Sequence, residues 1–101
     1  LNPFTVNLND PFGRRYAEVV INLEIVNKNY IPKLTANELI LPRIRDEVFM
    51  IISNKSYNEV RTSSGKVTLK EEIMMRLNEL MKEEFDKELI SRVYFTKFIV
   101  Q

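Results

Sequence analysis

The 101-residue sequence contains no cysteine, no histidine and no tryptophan. Without cysteine there is no disulfide, thiolate nucleophile, zinc–sulfur site or iron–sulfur cluster. This absence does not fix a compartment, since a domain that needs no disulfide can sit on either side of a membrane. Without histidine there is no Ser-His-Asp triad, no HExxH zinc site and no imidazole titrating near neutrality. Carboxylate-only catalysis and hard-cation binding stay open on composition alone. Only two glycines and four prolines are present, which excludes collagen-like and low-complexity sequence. Fifteen basic residues against fourteen acidic ones leave a net charge of +1, so no large bias toward nucleic acid or anionic membrane is visible. The longest unbroken apolar run, Val48-Phe49-Met50-Ile51-Ile52, is far short of the roughly 20 residues of a transmembrane helix. No signal-peptide pattern is present. The chain opens on Leu1-Asn2-Pro3 rather than Met, which predicts a fragment excised from a longer protein.

What is present is a globular composition, 45% hydrophobic and 29% charged, near the averages for folded domains. The mass of 12.0 kDa fits one domain over residues 1–101. Surface scaling predicts roughly 6,000 Å² exposed after folding, enough burial for a core without staples. Phe4, Val6 and Leu8 alternate with Thr5 and Asn7, the pattern of a short half-buried strand. Residues 9–13, Asn-Asp-Pro-Phe-Gly, supply turn chemistry. From Ala17 the alternation of Val19, Ile21, Leu23 and Ile25 with Glu18, Val20, Asn22 and Glu24 predicts a strand over about residues 15–26, paired antiparallel with the first. Residues 27–32 read as loop.

The period then changes to 3.6. Ile40, Ile44, Val48, Ile51 and Ile52 share one arc of a helical wheel, with Leu41 and Phe49 extending it. Pro42 sits in the first turn or kinks a helix begun near Ala36. Residues 57–61 can form one further turn, and Thr62-Ser63-Ser64-Gly65 offers several N-caps. A second main helix carries the stripe Leu69, Ile73, Leu77 and Leu80, widened by Met74 and Met81, with its buried part ending near Glu83. Residues 92–101 read as a strand apolar on both faces, Val93, Phe95 and Ile99 against Tyr94, Phe98 and Val100. The expected fold class is α+β, in the order β-β-α-α-β, with a small sheet packed by helices.

Pro3-Phe4-Thr5-Val6-Asn7-Leu8 at the start, and Pro42, Ile44, Arg45 and Asp46 at the head of the first helix, form the beginning of an ordered set. Gly65-Lys66 with Leu69, Leu77-Asn78, Val93-Tyr94-Phe95-Thr96 and Phe98-Ile99-Val100-Gln101 continue it. Together these residues resemble the C-terminal domain of the FliL family of flagellar basal-body-associated proteins, over essentially the whole chain. The resemblance implies a short cytoplasmic tail and one transmembrane helix upstream, absent from this sequence, with this domain in the periplasm on the bacterial inner membrane. It implies a fold similar to the stomatin/prohibitin (SPFH) core, assembly into a ring-like homo-oligomer, association with flagellar stator proteins, and support of rotation and torque under load. It implies no enzymatic activity, no cofactor or metal and no small-molecule substrate. Lys97 stands where many members carry an acidic residue.

On this reading the interface candidates are exposed aromatic positions at the strand edges, Phe4, Tyr94 and Phe98, with Arg45 as a charged contact. For Arg45, at the rim of the apolar arc, the plainer alternative is an aliphatic stem lying over Phe49 with the guanidinium in water. Asp46 and Glu47 diverge by about 100° on a helix and make a poor acid/base pair. Gly65-Lys66 lacks the first glycine of a phosphate loop and reads as a structural turn glycine. Asn78, at the edge of its stripe, predicts a hydrogen bond that fixes a loop. The Tyr94, Phe95 and Phe98 cluster resembles a base-stacking platform, but no basic stripe accompanies it, so nucleic-acid binding is not expected. The alternative to the flagellar reading is a generic stomatin-like oligomerisation module serving a non-flagellar membrane protein.

Overall fold

Alternating apolar residues set the frame. In the computed structural model, which describes residues 1–11 and 13–101, strand β1 (Phe4–Asn7) buries Phe4 and Val6 and exposes Thr5 and Asn7. Strand β2 (Tyr16–Ile25) buries Ala17, Val19 and Ile21. The two pair antiparallel, Phe4 opposite Val19 and Val6 opposite Ala17, so the expected hairpin is present. Phe12, inside the expected turn, lies outside the described residues.

Strand β3 (Ile90–Val100) pairs antiparallel with the other side of β2, giving the order β1-β2-β3. Its two apolar faces, read from the sequence, are corrected to one. Lys97 lies opposite Val20 but Phe95 lies opposite Ile21, so Thr96 is an extra residue. Likewise Arg92 lies opposite Glu24 and Ile90 opposite Ile25, which makes Ser91 a second extra residue. Each insertion turns the side chains beyond it to the other face. Val93, Phe95, Phe98 and Val100 therefore all lie opposite residues on the core side of β2, and Tyr94, Lys97 and Ile99 face outward. Both extra residues carry a hydroxyl that donates to a carbonyl beside the shift: Ser91 Oγ to Glu24 O at 3.1 Å and Thr96 Oγ1 to Val20 O at 3.4 Å. The bulges thus satisfy polar groups that the broken ladder leaves free.

The segment expected as loop after β2 holds a 3₁₀ turn (Lys28–Tyr30) and a short helix α1 (Ile31–Ala36), started by Pro32 in its first turn. Helix α2 (Ile40–Ser53) buries Ile40, Ile44, Val48 and Ile52, with Pro42 in its first turn, where no helical N–H is missed. Leu41 and Phe49, expected to widen the buried arc, are 53% and 44% exposed. Helix α3 (Tyr57–Val60) is the anticipated extra turn, opened by a capping box between Ser56 and Glu59. Helix α4 (Ser63–Phe85) is capped by the Thr62 side chain and buries Leu69, Ile73, Leu77, Leu80 and Met81. It stops at Asp86, whose φ of 59° puts it in the left-handed region where a helix cannot continue.

Helix α4 packs on β3 and α2 on β1, with α2 and α4 in contact, so the described helices cover one face of the sheet. Between the layers sits the core of β1, β2, α2 and α4 side chains. Across the α2–α4 seam Arg43 pairs with Glu83 at 3.2 Å and with Glu84, and Arg76 pairs with Glu47 at 2.8 Å. These pairs are exposed and each adds little. The folded surface of 6604 Å² is close to the value scaled from mass. The architecture is α+β, a three-stranded antiparallel sheet with helices, and the three short helical pieces refine the expected element order.

Candidate functional site

The expected interface residues do not converge. Phe4, expected exposed at a strand edge, is 3% exposed, because it continues the inward row of Val6 and Leu8. Arg45 covers it: the guanidinium carbon lies 4.0 Å from the centre of the Phe4 ring. The same guanidinium donates from Nη1 to Asn2 O at 2.7 Å and from Nη2 to Pro3 O at 3.2 Å. The stem-over-Phe49 alternative is thereby replaced by a fork that ties α2 to the residues leading into β1. A lysine there would offer a point charge without the planar stack or the fork. Arg45→Ala is expected to cost about 1–2 kcal/mol, from two lost hydrogen bonds and a cation–π contact. Arg45→Lys should recover only part of it, and faster amide exchange in β1 than in β2 would mark the loss as local.

Tyr94 does face outward, 40% exposed on the sheet face opposite the helices. Its hydroxyl donates to Glu24 Oε2 at 2.5 Å. That hydrogen bond, with some desolvation and the negative charge of Glu24, raises the Tyr94 pKa above the ordinary tyrosine value. A raised pKa means that the stabilisation is complete below the ordinary value of about 10 and is lost as pH rises through the higher folded value. In the Glu24→Gln variant, the Tyr94 titration followed by ring-carbon NMR should move back toward the ordinary range. An unmoved titration would show that the pair is not formed in solution. Beside it Lys97 pairs with Glu18 at 2.8 Å, again across β2 and β3. The outer face is thus a polar surface, with Ile99 39% exposed within it.

Phe98 is on the other side. It is half-buried opposite Val19, in one row with Phe4 across the sheet, and its ring centre is 5.0 Å from that of Phe95. Lys66 Nζ lies 5.2 Å from the centre of the Phe98 ring. The expectation that Phe98 shares an exposed face with Tyr94 is therefore corrected, and the cause is the extra residue Thr96. The same bulge takes apart the aromatic platform, since Phe95 and Phe98 face the helices while Tyr94 alone faces out. Among the described residues, no cluster of three or more Asp, Glu, His or Cys side chains has metal-binding placement. No helix among them is long and apolar enough to cross a membrane.

The other singled-out residues have structural places. Asn78, 7% exposed, donates from Nδ2 to Ile90 O at 2.9 Å and accepts from Ile90 N at 2.8 Å, so the expected hydrogen bonding is present but holds the first residue of β3 and not a loop. Gly65 is not a turn residue but the third residue of α4, set against the backbone of α3. Glu47 is half-buried under the Arg76 guanidinium, at 2.8 and 3.3 Å, while Asp46 is exposed.

The profile of the flagellar basal body-associated protein FliL family matches residues 1–101. The chain belongs to the FliL family. It is also 39% identical over 99 residues to the flagellar protein FliL of Aquifex aeolicus (strain VF5), a match covering 98% of this chain and 57% of that protein. The chain thus spans little more than half the length of the curated relative it matches. FliL is a flagellar basal-body-associated structural protein and not an enzyme. The sequence reading missed two structural features. One is the Glu24 partner of Tyr94, which the strand alternation signals once the register is known. The other is α1, signalled by Pro32 followed by Leu34.

Proposed function

We propose that this domain is a non-catalytic interaction module that lies in the periplasm, tethered to the bacterial inner membrane by a helix outside this sequence. Further copies assemble with it around the flagellar stator and support rotation and torque. The observation that carries the reading is the FliL family match over the whole chain. The sheet supports it physically, since its outer face carries no described helix and presents Tyr94, Lys97 and Ile99 to solvent. In this reading Tyr94 belongs to the contact surface and Arg45 holds the residues that lead into the domain, while Phe4 and Phe98 buttress the sheet from within. A likeness of the fold to the stomatin/prohibitin core belongs to the same proposal.

The mechanism is steric. A ring of such domains biases the stator toward its engaged state only if its contacts with the engaged and disengaged states differ in free energy. Tethering to one membrane raises the effective concentration of copies, so weak contacts in the isolated domain are compatible with assembly there. The test is an in-frame deletion of the domain, with swimming measured in thin and viscous medium and filaments counted. Flagellated cells that swim poorly, and worse under load, are the expected result. Cells that swim and assemble filaments normally in both media would overturn the proposal.

A further inference from the structure

Strand β2 is paired along its length on one side only. Its even-numbered residues turn their backbone groups toward β3: Tyr16 and Gln101 exchange two hydrogen bonds of 2.9 Å, and Val26 N reaches Leu89 O at 2.8 Å. Odd-numbered residues turn theirs toward β1. Leu8 N donates to Arg15 O at 2.8 Å, just before the strand, and the Leu1 amine donates to Ile21 O at 3.0 Å. Regular pairing with β1 ends at Phe4, opposite Val19. By the alternation of a strand, the N–H and C=O of Leu23 and Ile25 face the same side as those of Ile21. They have no backbone partner on that side among the described residues. An open edge of this kind is a template for more chain.

The space beside that edge is apolar. A groove of about 500 Å³ runs between β2, α1 and α2, and its lining includes Leu1, Leu23, Ile25, Leu34, Ile40 and Ile44. Ile40 and Ile44 belong to the buried core, whereas Leu1, Leu23, Ile25 and Leu34 are only half covered. A strand laid against Leu23 and Ile25 would turn every second side chain into this groove, as Leu1 already does.

The direction of the chain selects the occupant. β1 runs antiparallel to β2, so residues ahead of Leu1 pass Leu23 first and Ile25 next. The Leu1 amine has taken the first step of that ladder. On the α2 side, Arg45 holds the carbonyls of Asn2 and Pro3 and keeps the segment beside β2. The match covers 57% of the Aquifex protein, so in that relative there is chain outside this domain. We infer that the chain leading into Leu1 in the longer protein continues β1, pairs antiparallel with Leu23 and Ile25, and fills the groove with alternate apolar side chains. The domain is then joined to what precedes it through a strand and not through a free linker. Its α1 helix, which carries Leu34, serves as the far wall of that strand's seat.

Amide hydrogen exchange read by NMR tests this on residues 1–101 and on the full-length periplasmic chain, which carries the native residues before Leu1. The Leu23 and Ile25 amides are expected to exchange at least about tenfold more slowly in the longer chain, while Asn22 and Glu24, which face β3, stay unchanged. Leu34→Glu in the longer chain should return Leu23 and Ile25 to fast exchange without altering Val19 and Ile21. Equal rates at Leu23 and Ile25 in the two chains would overturn the inference. So would protection in the shorter chain that grows with protein concentration, because a second copy would then occupy the edge.

Discussion

Gly65→Ala is expected to destabilise the domain by about 2–4 kcal/mol and to lower its melting temperature by roughly 10–20 °C. A Cβ on Gly65 would lie 1.9 Å from Glu59 O and 3.0 Å from both Glu59 C and Thr62 Oγ1. None of these is the free end of a flexible side chain. Glu59 O belongs to the backbone of α3, and Glu59 closes the capping box with Ser56, accepting from Ser56 N at 3.2 Å and donating its own N–H to Ser56 Oγ at 3.3 Å. Thr62 Oγ1 caps α4 by accepting from Gly65 N at 3.0 Å. Relief of the clash therefore separates α3 from α4 and draws Val60, 1% exposed, out of the core. No glycine among the described residues has a positive φ, so the demand at Gly65 is for space and not for backbone freedom. In an open helix the same change would gain roughly 1 kcal/mol of helix propensity. The sign of the effect, measured by denaturant unfolding, thus decides the matter: a variant as stable as the parent would mean that the two helices do not approach this closely.

How far this fold is legible in the sequence follows the range of the forces that set it. The β1–β2 hairpin and the stripes of α2 and α4 are written in periods of two and 3.6 over many residues, and tertiary packing has only to honour them. The face of β3 is not written that way. It depends on two single-residue insertions at Ser91 and Thr96, and one residue is enough to turn Phe98 and Val100 inward. Their hydroxyls, bonded to Glu24 O and Val20 O, mark the bulges only after the register is known. Helix α1 has six residues, too few to show a period, and Pro32 with Leu34 is its whole signal. The burial of Phe4 was legible in its alternation with Val6 and Leu8. Its contact with Arg45 was not, because nothing local says that β1 lies beside the head of α2. The family, by contrast, is carried by scattered residues in fixed order, and so it survives the misplacement of single side chains.

The bulge at Ser91 also explains why a buried amide should matter as much as a close-packed glycine. Asn78→Leu, which keeps the number and branching of the side-chain heavy atoms, is expected to cost about 2–4 kcal/mol, since it orphans the N–H and C=O of buried Ile90 at roughly 1–3 kcal/mol each. Ile90 is opposite Ile25 and precedes the first extra residue of β3. With that anchor gone, the register that places Tyr94 outside and Phe95 inside loses its fixed starting point. Asn78→Asp separates the hydrogen bonds from the packing. The carboxyl keeps an acceptor for Ile90 N, now at 2.8 Å, but when ionised it opposes Ile90 O, now 2.9 Å from the Nδ2 donor, with a second acceptor. Burial and this repulsion both raise the pKa of the introduced carboxyl above its unfolded value of about 3.9. A raised folded pKa gives stability that is complete below the unfolded value and is lost as pH rises through the folded one. The variant should therefore approach the parent near pH 4, where the protonated oxygen can donate to Ile90 O, and fall progressively behind it toward pH 7. A deficit independent of pH would show that water reaches the carboxyl, and hence that the start of β3 is held by something other than this amide.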